Sequence, residues 1–290
     1  MLSARLWAPV FLLLSMAAVL SASEVIFETR RNLEYSQSNG ASLLMDASVP
    51  MAKNATVPAV IIVHGGGWVR GDRRIDVEPL FEPLTRAGFA WFSISYRLAT
   101  NVTQFGLGVE DVESAVRFVR SHAGEFHVDG QALALIGESA GGQLASIAAL
   151  QLPPSETVKA VVGLYPPTDL VALLRNSNYV PAQIRASVEN SPWSSFILAG
   201  LNHLSPIENV RPDMPPFLLI HGTADSLVPF EQSTAMCKRM REAGASCEIY
   251  PVAGAGHGIR WWSQSRSAGY QQKMVDWLRL KLGVPEKLGS

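Results

Sequence analysis

Cysteine is almost missing from this chain: only Cys237 and Cys247 occur. Two thiols with no histidine beside them in sequence exclude a cysteine-rich metal module, and a framework of several disulfides is excluded as well. There is no run of lysine and arginine, and the formal charge is only −1. The electrostatic footprint expected for nucleic acid or an anionic membrane surface is therefore missing, and the expected partner is a small molecule. No internal repeat or low-complexity segment appears. The longest uncharged apolar stretch, Leu6 to Leu20, contains Pro9 and falls short of the roughly 20 residues that cross a bilayer.

That stretch follows the lone cation Arg5 and precedes the small residues Ser21, Ala22 and Ser23. It reads as a cleavable export signal over residues 1–23. The expected destination is secreted or periplasmic, with no stable membrane span after cleavage. No cysteine follows the apolar stretch, so the usual attachment point of a bacterial lipid anchor is lacking. In an oxidising compartment a Cys237–Cys247 disulfide is favoured over two free thiols, because both flank the turn at Gly244, one on a helix and one on a strand. The sequons at Asn54 and Asn101 have meaning only in a eukaryotic secretory pathway. Oligomeric state leaves no signal.

With 48% hydrophobic residues, the remainder, 24–290, can bury the core of a single large domain. Val25 to Tyr35 and Ser42 to Val49 read as an antiparallel pair around Asn39-Gly40. From Ala59 onward, apolar β-branched runs alternate with helical patterns. Strands are expected at Ala59 to Val63, Ala90 to Tyr96, Ala132 to Ile136, Ala160 to Leu164, Phe217 to Ile220 and Cys247 to Val252. This rhythm implies an α/β fold with a mostly parallel sheet and helices on both faces. It breaks between Leu170 and Pro212, where Pro181, Pro192, Pro206 and Pro212 separate short apolar pieces. That interval is expected to be a small cap insertion over the carboxyl edge of the sheet.

The strand ending at Ile136 runs into Gly137-Glu138-Ser139-Ala140-Gly141, with a helix expected from Gly142. Glycines on both sides of a serine suit a sharp strand-to-helix turn that holds the hydroxyl out at the sheet edge. Alone the pattern is weak, since Gly and Ser are common. A serine nucleophile also needs a base and a group that orients the base. Asp225 follows the strand at Phe217, and His257 follows the strand at Cys247 between Gly256 and Gly258. Taken singly, Asp225 reads equally as a turn or cap residue, and His257 as a loop histidine. Serine, acid and base in this order, each after a strand, read together as nucleophile, orienting acid and base.

Gly65, Gly66 and Gly67 follow the strand at Ala59, at the same edge as the serine. Their unshielded amides, with that of Ala140, are candidate oxyanion donors. His64 is expected to brace this loop, and His221 to serve backbone structure beside Asp225. Trp68, Trp193 and Trp261 are open to two readings, pocket walls or fillers of core gaps. Asp169 reads as a turn residue or as an organiser of the cap entrance.

His64-Gly65-Gly66-Gly67-Trp68, Gly137-Glu138-Ser139-Ala140-Gly141-Gly142, His221-Gly222-Thr223-Ala224-Asp225 and Gly256-His257-Gly258 together resemble the α/β-hydrolases of the hormone-sensitive-lipase-related esterase group. The resemblance covers roughly Ser42 to Leu282. The short N-terminal part is more similar to the compact branch of feruloyl and acetyl-xylan esterase-like proteins and arylformamidase-like enzymes. It implies an α/β-hydrolase fold and hydrolysis of a small-molecule ester through an acyl-enzyme, with neither metal nor organic cofactor. Ser139, Asp225 and His257 would be the triad, and Gly66, Gly67 and Ala140 the oxyanion donors. The alternatives are an amide hydrolase, arylformamidase-like or peptidase-like, using the same residues, and a silent binding protein on this fold. Glu138 departs from the Asp of many relatives, a change expected to alter the surroundings of the serine rather than the chemistry.

Overall fold

The computed structural model describes residues 25–284, apart from 39, 52–55, 102–103, 177–179 and 181. The expected signal segment lies outside this range, and so do Asn54 of one sequon and positions 102 and 103 of the other. The strands are β1 (Phe27–Ser38), β2 (Ala41–Pro50), β3 (Val57–Val63), β4 (Ala90–Ile94), β5 (Val128–Glu138), β6 (Ala160–Leu164), β7 (Phe217–Gly222) and β8 (Cys247–Val252). The helices are α1 (Phe81–Arg86), α2 (Leu107–Ser121), α3 (Ala123–Phe126), α4 (Ala140–Gln151), α5 (Leu170–Asn176), α6 (Ala182–Glu189), α7 (Ser194–His203), α8 (Glu231–Glu242) and α9 (Gln264–Leu282).

The strands form one sheet in the order β1-β2-β4-β3-β5-β6-β7-β8. β1 and β2 are antiparallel to their neighbours, and every pairing from β4 through β8 is parallel. Strands buried on both faces explain the continuous apolar runs of the sequence. Successive side chains point to opposite faces. Ile61, Val63, Leu133 and Leu135 thus join the core under α2, α4 and α8, while Val60, Ile62, Ala134 and Ile136 join the core under α1 and α9. On α2 the apolar positions Val112, Ala115, Val116 and Val119 are all fully buried, as their helical spacing requires.

Parallel strands place all their carboxyl ends on one edge, where ligands bind in open α/β sheets. His64, Ser139, Tyr165, Asp225 and His257 each follow such an end. The interval 170–212 carries α5, α6, α7 and a 3₁₀ turn at Pro206–Asn209. Its small core of Leu170, Leu174 and Leu201 packs against Trp68 beside the glycine loop. Asp169 Oδ1 accepts the N–H of Ala172, which makes it the cap of α5. A disulfide joins Cys237 on α8 to Cys247 on β8, with Cα atoms 5.1 Å apart.

Candidate active site

Ser139 sits between β5 and α4 with φ 50° and ψ −119°, a conformation costly for a residue with a Cβ. Its neighbours leave no alternative to glycine. A Cβ on Gly137 would lie 2.3 Å from the carbonyl oxygen of Gly141, and one on Gly141 would lie 2.3 Å from those of Val63 and His64. The sharp turn is locked by the Ser139 N–H, which donates to Leu164 O at 2.9 Å. The hydroxyl is thereby held out at the sheet edge.

His257 Nε2 stands 2.9 Å from Ser139 Oγ, and His257 Nδ1 stands 2.7 Å from Asp225 Oδ2. Because a carboxylate only accepts, Nδ1 carries the proton and Nε2 is free to accept from the serine. The Asp225 and His257 loops are tied together by the Ala224 N–H, which donates to Ala255 O at 3.0 Å. Burial alone would raise the Asp225 pKa. The polar Nε2–H edge of His221, 3.5 Å away, and hydrogen bonds from His257 and the Val228 N–H outweigh it and hold the carboxyl below its ordinary range. Such a series can take the Ser139 proton to His257 and stabilise the imidazolium that forms.

On the opposite side, Gly66 has φ 106°, and a Cβ there would meet Arg70 O at 2.0 Å. The loop is braced from below. His64 donates from Nδ1 to Gly65 O at 2.8 Å and stacks on Tyr96 with ring centres 4.4 Å apart. Burial lowers the His64 pKa. Ala140 begins α4, so its N–H is one that no turn of the helix satisfies. Among the described residues no acceptor takes the N–H of Gly66, Gly67 or Ala140, and all three residues line the cleft that holds Ser139 and His257.

That cleft has a volume of about 680 Å³. Trp68, Phe105, Pro167, Leu173 and Trp261 supply its apolar walls, and Arg70, Asp72, Asp76 and Arg260 a charged edge of both signs. The expected tryptophans separate here. Trp261 is 80% exposed at the mouth, with the Arg260 guanidinium 5.7 Å from its ring centre. Trp68 is half wall and half strut: it stacks on Phe105 at 4.6 Å and donates from Nε1 to Gln143 Oε1 at 2.8 Å. Trp193 does not line the cleft; it is 70% exposed ahead of α7. Trp262, beside Trp261, turns into the core and donates from Nε1 to Gly256 O.

Sequence reasoning overlooked Tyr165, Gln143 and Gln232. Fully buried Tyr165 donates to Glu138 Oε1 at 2.7 Å, and its ring lies 4.5 Å from that of His257. Burial raises the pKa of both Tyr165 and Glu138. Gln143 also donates from Nε2 to Leu204 O, joining Trp68 to the end of the insertion. Gln232 Oε1 accepts the N–H groups of Thr168 and Asp169 and so fixes the start of that insertion. The one available signal was position: Tyr165 follows a strand end, as Ser139 does.

The model of the BD-FAE family matches residues 45–240. The chain belongs to the BD-FAE family. It is 32% identical to esterase LipC of Mycobacterium tuberculosis over 216 residues, which cover 70% of this chain and 53% of that protein. The chain spans about half the length of the curated relatives it matches. Among solved structures it resembles Thermogutta terrifontis esterase 2 with butyrate bound, at 24% identity and TM-score 0.72 over 92% of this chain and 97% of that one. A truncated carbohydrate esterase from gut microbiota aligns with TM-score 0.71 at 24% identity, over 90% of this chain and 99% of that one. The fold of this BD-FAE member is therefore that of the α/β-hydrolases.

Proposed function

We propose that the protein is a serine carboxylic-ester hydrolase acting on small or short-chain acyl esters through an acyl-enzyme. The observation that carries this reading is the unbroken series Ser139 Oγ, His257 Nε2, His257 Nδ1 and Asp225 Oδ2, with contacts of 2.9 and 2.7 Å, facing three unclaimed amides across one cleft. Ser139 attacks the ester carbonyl while His257 takes its proton. The amides of Gly66, Gly67 and Ala140 receive the negative charge on the carbonyl oxygen. His257 then protonates the leaving alcohol and activates water for deacylation. The esterase names of its relatives support the reading.

The open, partly polar cleft of about 680 Å³, with Trp261 at its mouth, leaves room for small acyl esters, acetylated carbohydrate among them, and its aromatic walls would also suit the ring of a feruloyl ester. A hydrolysis panel of short-chain acyl esters, feruloyl esters, acetylated xylan, N-formylkynurenine and short peptides tests the proposal. Faster turnover of an amide than of every ester would overturn it in favour of the amide-hydrolase reading. A fluorophosphonate probe that leaves Ser139 unlabelled would favour a binding protein.

Export with cleavage near residue 23 belongs to the same proposal. It is supported by the Arg5 and Leu6-to-Leu20 pattern and by the Cys237–Cys247 bridge, a bond that persists in oxidising compartments. The described residues hold no helix long and apolar enough to cross a membrane. Mass measurement of the mature N-terminus is the test; an intact Met1 in the exported protein would contradict it.

A further inference from the structure

Glu138 precedes the serine, is only 9% exposed, and uses both carboxylate oxygens. Oε2 accepts the Gly65 N–H at 3.1 Å, and Oε1 accepts the Tyr165 O–H at 2.7 Å. The Tyr165 oxygen in turn accepts the Ile259 N–H at 2.8 Å. An amide N–H can only donate, so the tyrosine oxygen is the acceptor of Ile259, while its hydroxyl donates to Glu138. Glu138 is acceptor at both ends. Gly65 opens the loop of unclaimed amides, and Ile259 lies two residues beyond His257. One continuous chain of hydrogen bonds thus runs from the amide loop, beneath Ser139, to the histidine loop.

Two further observations show that this chain has little slack. Tyr165 is fully buried and holds φ 41°, a left-handed conformation that disfavours residues with a Cβ. Its ring packs against the His257 ring at 4.5 Å and 60°. A Cβ on Gly65 would lie 2.6 Å from Glu138 Oε2, so glycine there is what lets the carboxylate approach the backbone.

We propose that Glu138 and Tyr165 act together as positioning residues, setting the Gly65–Gly67 loop and the His257 loop at a fixed distance on either side of Ser139. This rests on the serine-hydrolase reading of the site. Neither residue is hydrogen-bonded to Ser139 Oγ or to the His257 ring nitrogens; Glu138 bonds Gly65 and Tyr165 instead. Their effect falls on the geometry in which the oxyanion is received and the proton is transferred, so it is expected in kcat rather than KM.

The test compares Glu138→Gln, Tyr165→Phe and the double variant with wild type on 4-nitrophenyl acetate, with active sites counted by fluorophosphonate titration. Each single variant is expected to lose about tenfold in kcat per titrated site with KM held within about twofold. The double variant is expected to be no slower than the slower single, because the two residues form one chain. Tyr165→Phe removes only a hydroxyl, so it decides the matter alone if Glu138→Gln does not fold. A lowered melting temperature with kcat per site unchanged would overturn the proposal, and so would losses that multiply in the double variant. If wild type is labelled at Ser139 but hydrolyses no ester, the ester reading fails by itself. The labelling rate then decides: about tenfold slower phosphonylation in Tyr165→Phe supports the brace, and an unchanged rate overturns it.

Discussion

The Asp225 carboxylate stands between two histidines: its Oδ2 accepts the His257 Nδ1–H at 2.7 Å and lies 3.5 Å from Nε2 of buried His221. His221 donates from that nitrogen to Val228 O at 2.9 Å and accepts the Ser233 hydroxyl at Nδ1. It is held by the backbone turn while turning a polar edge to the acid. Oδ1 of Asp225 is taken by the N–H groups of Leu227 and Val228. The acid is thus fixed before any substrate arrives.

Replacing Asp225 by Asn keeps the size but turns a donor toward His257. The ring would then present its Nδ1 lone pair to the amide and its Nε2–H to Ser139, the wrong tautomer for a base. A loss of about 10³–10⁴ in kcat is expected, measured on 4-nitrophenyl acetate.

The same carboxyl makes stability depend on pH. Its native pKa lies below the ordinary value, so the unfolded chain binds the proton more readily, and the contribution is present above about pH 4. It is lost as the pH falls through the native value. Urea unfolding of wild type and Asp225→Asn should show a wild-type advantage at about pH 7 that narrows by about pH 3. An advantage that grows on acidification would contradict the assignment.

Gly66→Ala drives a Cβ onto Arg70 O, where the structure leaves only 2.0 Å. The loop must shift, and its amides leave the position of the oxyanion. A loss of at least about 10² in kcat is expected, readable on any ester the wild type accepts.

Trp261 is 80% exposed and lines the mouth, so Trp261→Ala removes contact with substrate while leaving the core untouched. Its stability should stay within about 0.5 kcal/mol of wild type, while KM for aryl esters rises. Unchanged KM across the panel would remove Trp261 from the binding surface.

The Cys237–Cys247 bridge closes a loop of sequence separation 10 between α8 and β8, and β8 leads into the His257 loop. The double variant C237A/C247A is expected to lose about 2–3 kcal/mol of stability, measured by denaturant unfolding under oxidising conditions.

The sheet and the Ser139 turn were legible because their causes are local. Strands buried on both faces must read as unbroken apolar runs, and a sharp turn must place glycine at 137 and 141. Asp225 and His257 were legible for a related reason, since each sits in a short motif directly after its own strand. The brace through Tyr165 left no such mark, because its partners Glu138, at the end of β5, and Ile259, beyond β8, are far from it in sequence, and a lone tyrosine after a strand reads as core. The orientation of Trp193 was hidden too: in short helices broken by proline, no periodicity says which side faces the cleft.

The central claim is that Ser139 is the nucleophile. Ser139→Ala removes only a hydroxyl from a turn whose shape the surrounding glycines impose, so the variant should fold as wild type does by near-ultraviolet circular dichroism. Its kcat/KM on 4-nitrophenyl acetate, measured beside wild type, is expected to fall by at least about 10³. Retention of wild-type turnover by a folded Ser139→Ala protein would contradict the account.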